Sequence, residues 1–343
     1  MSDAIPMPTT RAAAEEAVAR APEAKRGPPA QPASCTLTVE HETRYEYDSP
    51  VDQAHHIACL RPLSDLGQTL EVFDMSVVPA PSQHSTRRDA FGNSRAYFAL
   101  HVPHSELSVL ARSQVRVNNR YAGLKLHRGP SCGEVREALR YRAQADFQPA
   151  SEFMFDSPFV PHHPILREYA DVSLREDRPL AEAAHELMQR IHRDFEYAPA
   201  STDISTPVLD VFTQRKGVCQ DFAHLMLACL RSSGLAGRYV SGYLLTQPPP
   251  GQAPLVGADA SHAWLSAWIP GLDSPLSADW LDLDPTNNCI PACHHVRVAH
   301  GRDFGDVTPL RGVIRGGGHH TLEVRVTTRL LPPEGEETLR RQG

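Results

Sequence analysis

Several features are missing from this 343-residue sequence, and each absence excludes something. No apolar run approaches the ~18 residues of a membrane-spanning helix, so no membrane partner is expected. The N-terminus carries charge without an apolar segment behind it, so it does not read as a signal peptide. No block of basic residues occurs, and the formal net charge is −7 with acids and bases mixed along the chain. A nucleic-acid partner is therefore disfavoured. The cysteines, at 35, 59, 132, 219, 229, 289 and 293, are odd in number and irregular in spacing, which no secreted disulfide framework would be. A reducing compartment, by default the cytoplasm, is the expected location. There is no internal repeat and no acidic loop of the EF-hand kind, and no cofactor or resident metal is expected.

What is present is ordinary globular material, long enough to favour two domains. Residues 1–34, rich in Ala, Pro, Arg and Glu, read as a disordered leader with at most a short helix from Arg11 to Arg20. Residues 35–120 alternate apolar and polar positions, as at Leu37, Val39, Tyr45 and Tyr47. Further strand-like runs cover Leu70–Val78, Arg95–Val102 and Leu107–Val117, and turn signals such as Gly92-Asn93 lie between them. This stretch reads as a small antiparallel β-sandwich. Residues 121–198 read as helical, with candidates at Val135–Ala145, Ile165–Ala170 and, most clearly, Pro179–Phe195. There Leu180, Ala184, Leu187, Met188 and Ile191 form one stripe. Residues 199–330 mix helix and strand, ending in a strand at Thr321–Thr327, and residues 331–343 form a charged tail.

The chemistry centres on Cys219. Phe222, Leu225, Met226, Cys229 and Leu230 follow it at the spacing of one buried helix face, and Gly234 suits the helix end. Cys229 belongs to that apolar face. Cys219 thus falls in the first turn, where unpaired N–H groups and a partial positive charge favour a thiolate and can hold an oxyanion. Gly217 leaves room for a substrate backbone. Position alone is equally compatible with a small buried hydrophobe.

A cysteine nucleophile needs a base and a group that orients the base. His262–Ile269 and Trp280–Asp284 both alternate as strands, and a Pro- and Gly-containing loop separates them. Folded as a hairpin with Ser266 opposite Trp280, they place His262 opposite Asp284, about 4.5–5.5 Å apart at Cβ. Asp282 shares the face but is a diagonal neighbour, so Asp284 is preferred; a register error of two residues would reverse the choice. His224, five residues after Cys219 on the same helix, does not face it and is assigned to the helix flank.

These residues resemble the transglutaminase-like core. The resemblance lies in Gly217-Val218-Cys219-Gln220-Asp221-Phe222-Ala223, Leu230–Leu235, Arg238–Tyr243, His262-Ala263-Trp264 and Asp284-Pro285-Thr286-Asn287-Asn288. In that family the nucleophile, base and orienting acid fall at the positions of Cys219, His262 and Asp284. Tyr45-Glu46-Tyr47, Leu60-Arg61-Pro62, Asp89–Asn93, Gly301–Phe304 and Pro309–Val313 further resemble its bacterial branch. The resemblance covers roughly 36–327. It implies an α+β chain, with a papain-like transglutaminase core preceded by an Ig-like antiparallel β-sandwich, acting on a peptide or protein substrate. No side-chain oxyanion donor is assigned from the sequence, and no motif supports Tyr197 in that role.

Three readings remain. The first is a cysteine enzyme acting on peptide or glutamine-type amides through an acyl-thioester, with hydrolysis favoured over amine transfer. The second is a non-catalytic peptide-binding module. The third is a metal protein using Cys289, Cys293, His294 and His295, a dense ligand set that lacks the second half of a usual zinc pattern.

Overall fold

The computed structural model describes residues 32–199, 202, 204–245 and 261–332. Residues 1–31, including the candidate helix Arg11–Arg20, and residues 333–343 of the expected tail lie outside the described residues.

The N-terminal half is built on one exceptionally long strand, β1 (Ser34–Ala58). Its first part pairs with β5 (His104–Asn118) on one side and β13 (His320–Leu331) on the other. Its second part pairs with β4 (Ser94–Leu100) and β12 (Leu310–Gly316). With β2 (Gln68–Val78) on β5 and β3 (Gln83–Arg88) on β4, all seven strands form one hydrogen-bonded antiparallel sheet. Alternation along β1 turns Leu37, Val39, His41 and Thr43 to one buried face.

The strands expected to make an Ig-like sandwich are hydrogen-bonded into one sheet around β1, whose two parts take different partners. The C-terminal strand, expected with the catalytic core, pairs instead with β1, nearly 300 residues away in sequence. Tyr47, Val51, Phe98, Leu100, Leu107 and Val109 form a small core of the sheet's own. Leu37, Val39, Val115 and Val117 join the larger core of the second half.

That second half contains α1 (Cys132–Leu139), α2 (Pro164–Asp171), α3 (Leu180–Asp194), α4 (Val208–Gln214) and the central α5 (Cys219–Ser232). Short strands β6 (Glu196–Tyr197) and β7 (Lys216–Gly217) pair in parallel just before α5. A four-stranded antiparallel sheet follows, in the order β10 (Trp280–Leu283), β9 (Ser261–Trp268), β8 (Gly237–Leu244), β11 (His295–Gly301). Helix α5 packs on β9, and it is buried almost all round, from Asp221 to Arg231. A helix apolar on so many sides has to sit inside the domain rather than on it. Gly242 is required here: a Cβ would lie 2.0 Å from the Val296 carbonyl and 2.6 Å from the Trp264 ring. A short helix, α6 (Phe304–Val307), leads back to β12.

The two halves are bolted together by polar groups. Arg297 makes a two-pronged ion pair with Asp65, both contacts at 2.7 Å. Asn93 exchanges hydrogen bonds with the backbone of His300 at 2.8 and 2.9 Å. Among the described residues, no helix is long and apolar enough to cross a membrane.

Candidate active site

Helix α5 begins at Cys219, as its apolar spacing predicts. The Asp221 carboxylate reaches back to accept the N–H of Val218 at 2.8 Å, and the Thr202 hydroxyl donates to the same oxygen at 2.6 Å. Gly217 makes this possible, since a Cβ there would meet Asp221 Oδ2 at 2.8 Å. An acid in this position also suits the positive end of the helix. The first intrahelical hydrogen bond runs from the Phe222 N–H to the Val218 carbonyl at 3.1 Å. The amides of Cys219 and Gln220 precede it, in the turn that has no intrahelical acceptor. Cys219 itself is half-buried.

His262 is the second residue of β9 and pairs with Gly242 of β8, so no side chain from β8 covers the imidazole. It is 9% exposed, and its ring stacks on Trp264 at 5.9 Å and 28°. Nε2 lies 2.7 Å from Asp284 Oδ2, and Cys219 is close enough to the ring to raise its pKa. With Nε2 taken by the carboxylate, Nδ1 is the nitrogen left for the sulfur. Burial by itself would lower the His262 pKa; the charge and hydrogen bond of Asp284, helped by Cys219, raise it to about 10. The imidazole is therefore held protonated beside the thiol sulfur.

Asp284 is completely buried. Its Oδ2 accepts from His262, from Asn287 Nδ2 at 2.8 Å and from His295 Nε2 at 3.1 Å, and Oδ1 accepts the N–H groups of Thr286 and Asn287 at 3.0 and 3.1 Å. Burial pushes this carboxyl up, yet the two imidazoles hold it well below the usual carboxylate range. A buried carboxylate with this many donors is a fixed anion.

The structure thus brings together the three residues singled out by sequence, but by a different register. Observed pairs are Trp280–Trp268, Leu281–Ala267, Asp282–Ser266 and Leu283–Leu265. The hairpin is shifted two residues from the expected Ser266–Trp280 pairing, in the direction that carries Asp282 away from His262. Asp284 lies just past the end of β10, where Asp284 and Cys289 exchange backbone hydrogen bonds of 2.9 and 3.2 Å and turn its side chain onto the imidazole. Asp282 is engaged elsewhere: Ser266 Oγ donates to it, and it forms a buried ion pair with Arg120 at 2.9 Å.

His224 is not on the helix flank. It is buried, stacks on Phe159 at 5.5 Å, and its Nε2 accepts the Phe304 N–H at 3.1 Å. Burial, aided by Arg231, lowers its pKa to about 3, so it is a neutral structural residue. Tyr197 lies on β6 beside Gly217 and is exposed; partial burial and then the charge of Cys219 raise its phenol pKa.

Sequence reasoning missed Asn287 and His295 as partners of Asp284. Asn287 was visible only as part of a motif, and His295 only as a ligand-type side chain. The proposed metal set of Cys289, Cys293, His294 and His295 is split: His295 turns to Asp284, and Cys289 lies apart from Cys293 and His294. Ligand atoms of His262, Asp284 and His295 lie within 4.8 Å of one another, but hydrogen bonds between them account for that closeness.

Comparison with known proteins gives the family. Residues 167–285 match the transglutaminase-like superfamily, and residues 37–116 match the bacterial transglutaminase-like N-terminal region. An uncharacterised protein of Mycobacterium tuberculosis is 40% identical over 298 residues, covering 87% of this chain and 93% of the relative. A Mycobacterium leprae protein is 33% identical over 298 residues, covering 84% and 97%. A protein-glutamine gamma-glutamyltransferase of Pseudomonas aeruginosa is 33% identical over 109 residues, 31% of this chain and 15% of that one. The fold is similar to a solved structure from Cytophaga hutchinsonii named "Putative Cysteine Protease", with a TM-score of 0.66 at 19% identity over 88% and 92% of the two chains. The two matched family regions place the chain in the transglutaminase-like superfamily. Within it, the chain belongs to the bacterial family that carries the added N-terminal region.

Proposed function

We propose that the protein is a cysteine enzyme that hydrolyses peptide or glutamine-type amides through an acyl-thioester. The observation that carries this reading is the meeting of Cys219, at the start of α5, with an imidazole that a buried carboxylate holds in place. The Cys219 thiolate attacks the amide carbonyl carbon, and the oxyanion lies against the first-turn amides of α5. The carbon–nitrogen bond then breaks. His262 gives its proton to the departing amine or ammonia, leaving an acyl-thioester and a neutral imidazole. Water attacks the thioester, His262 takes its proton, and the carboxylic acid and the free sulfur are released. Asp284 fixes the ring so that Nδ1 faces the sulfur throughout. A non-catalytic module would have no use for three polar groups arranged this way.

One finding favours a second reading, acyl transfer to an amine: the match to the Pseudomonas transferase across 109 residues. The triad serves both, because it sets acylation and not the acceptor. Water, at about 55 M, wins unless the site excludes it or binds the amine well, and no sequence feature around His262 or Asp284 defines a second, amine-binding pocket. The test is a panel of peptide amide donors incubated with millimolar primary amine, with products read by mass spectrometry. Free acid should predominate; a predominance of amine-coupled product would make the protein a transferase with the same three residues in the same roles.

A further inference from the structure

A second cluster of reactive side chains lies outside the triad. Cys35, from the start of β1, meets Cys293 and His294, from the segment leading into β11, and their ligand atoms all lie within 4.8 Å of one another. The Cys35 thiol donates to the Cys293 carbonyl at 2.7 Å across 258 residues of sequence. Both sides are on fixed backbone. Cys35 pairs with Val117 in the N-terminal sheet and shares the inward face of Leu37 and Val39. The His294 carbonyl accepts the Leu245 N–H at 3.0 Å, beside the β8–β11 ladder. Consecutive residues of a strand point to opposite faces, which is why His295 serves Asp284 while His294 turns toward Cys35. Cys293 is buried, and Cys35 and His294 are half-buried, so the cluster is open to solvent on one side.

We propose that Cys35, Cys293 and His294 form a zinc site that clamps the first strand of the N-terminal sheet to the loop between Asp284 and β11. Two thiols and an imidazole are a soft donor set that selects zinc over calcium or magnesium. In a tetrahedral zinc site, bonds of about 2.3 Å to sulfur and about 2.0–2.1 Å to nitrogen put ligand atoms roughly 3.5–3.8 Å apart. Water on the open side completes four-coordination. Cys35 supplies the half of the pattern that Cys293 and His294 lack in the linear sequence. This proposal does not depend on the amide-hydrolase reading.

The experiment uses the full chain, reduced, stripped with a chelator and titrated with zinc against a competing indicator. One equivalent should bind, and cobalt in its place should give thiolate-to-metal charge-transfer absorption. Cys35→Ser and Cys293→Ser should each abolish stoichiometric binding with folding confirmed by circular dichroism. Cys59→Ser and Cys219→Ala should retain it. Absence of binding by the wild-type chain would overturn the site on its own, even if the variants failed to fold. So would loss of binding in Cys219→Ala with retention in Cys35→Ser, which would put the metal at the triad. A Cys35–Cys293 disulfide that persists in reductant would contradict it equally.

Discussion

The two ends of the β9–β10 hairpin carry the same sequence signal and do different work. Asp282 and Asp284 lie two residues apart on one face, and both are buried. At the inner end, Asp282 is neutralised by the Arg120 guanidinium, a permanent cation that also reaches the Ser277 carbonyl at 3.1 Å. At the outer end, Asp284 is hydrogen-bonded to two imidazoles, and the protonated one, His262, can give its proton up. An aspartate paired with arginine is locked for structure. An aspartate paired with histidine, with a thiol on the far side of the ring, is arranged for proton transfer. The partner, not the aspartate, separates the two roles.

The largest effect that sharpens this contrast is at the nucleophile. Cys219→Ala should abolish turnover while α5 persists, since alanine is the best helix former. Next comes Asp284→Asn, which should leave His262 misoriented and lower kcat by about 10⁴, as the analogous serine-enzyme change does. Asp282→Asn should leave the chemistry near wild type and act on stability instead. It leaves Arg120 buried without its carboxylate, a loss of about 3–5 kcal/mol in chemical denaturation. If the two substitutions exchanged phenotypes, the contrast between the hairpin ends would be wrong. A smaller effect is expected from His295→Leu, which removes one donor to Asp284. By analogy with outer partners of metal-bound histidines, the rate should fall roughly 10–100-fold.

How far the sequence reached is instructive at the same hairpin. The existence of both strands was legible from alternation, and the start of α5 from the spacing of Phe222, Leu225, Met226 and Cys229. The register was not, because any even shift keeps the same residues on the same face. What sets it is the turn. Ala278 and Asp279 adopt φ of 49° and 64°, and the Ile269 N–H bonds the Asp279 carbonyl at 2.8 Å, extending the ladder past Trp268. Neither Ala278 nor Asp279 announces a left-handed backbone as glycine would. The two-residue error moved Asp282 away from His262, not toward it, so Asp284 is the aspartate that meets the imidazole. The strand at the C-terminus was also legible, but its partner was not. Pairing of His41 with Val326 leaves no local trace, and only the fold brings them together. His295 was hidden for a related reason: its neighbour His294 looks the same in sequence, and only strand alternation assigns one to Asp284 and the other to Cys35.

The ionic state of the outer end has a thermodynamic signature. The His262 pKa is raised from 6.5 to about 10 in the folded chain, so its protonated form favours folding. That contribution is complete below about pH 6.5 and is lost as pH rises through about 10. Denaturation of wild type and His262→Gln, compared from neutral pH upward, should show a difference that narrows over this window. A difference independent of pH would mean the imidazole is not held protonated. Asp284 acts in the opposite direction: its depressed pKa gives stability that is present above about pH 3.8 and lost on acidification below it.

The central claim, that Cys219 is the nucleophile of a triad completed by His262 and Asp284, is met most directly by trapping the covalent intermediate. The chain is mixed with an activated peptide-amide donor, quenched in acid, digested and mapped by mass spectrometry. Burial holds the thiols of Cys229 and Cys289 up at about 12, with Asp284 adding to the effect at Cys289, so both should stay unmodified. The account predicts one acyl adduct, on Cys219, present in wild type and Asp282→Asn and strongly reduced in Asp284→Asn. An adduct on another cysteine, or undiminished turnover by Cys219→Ala, would contradict it.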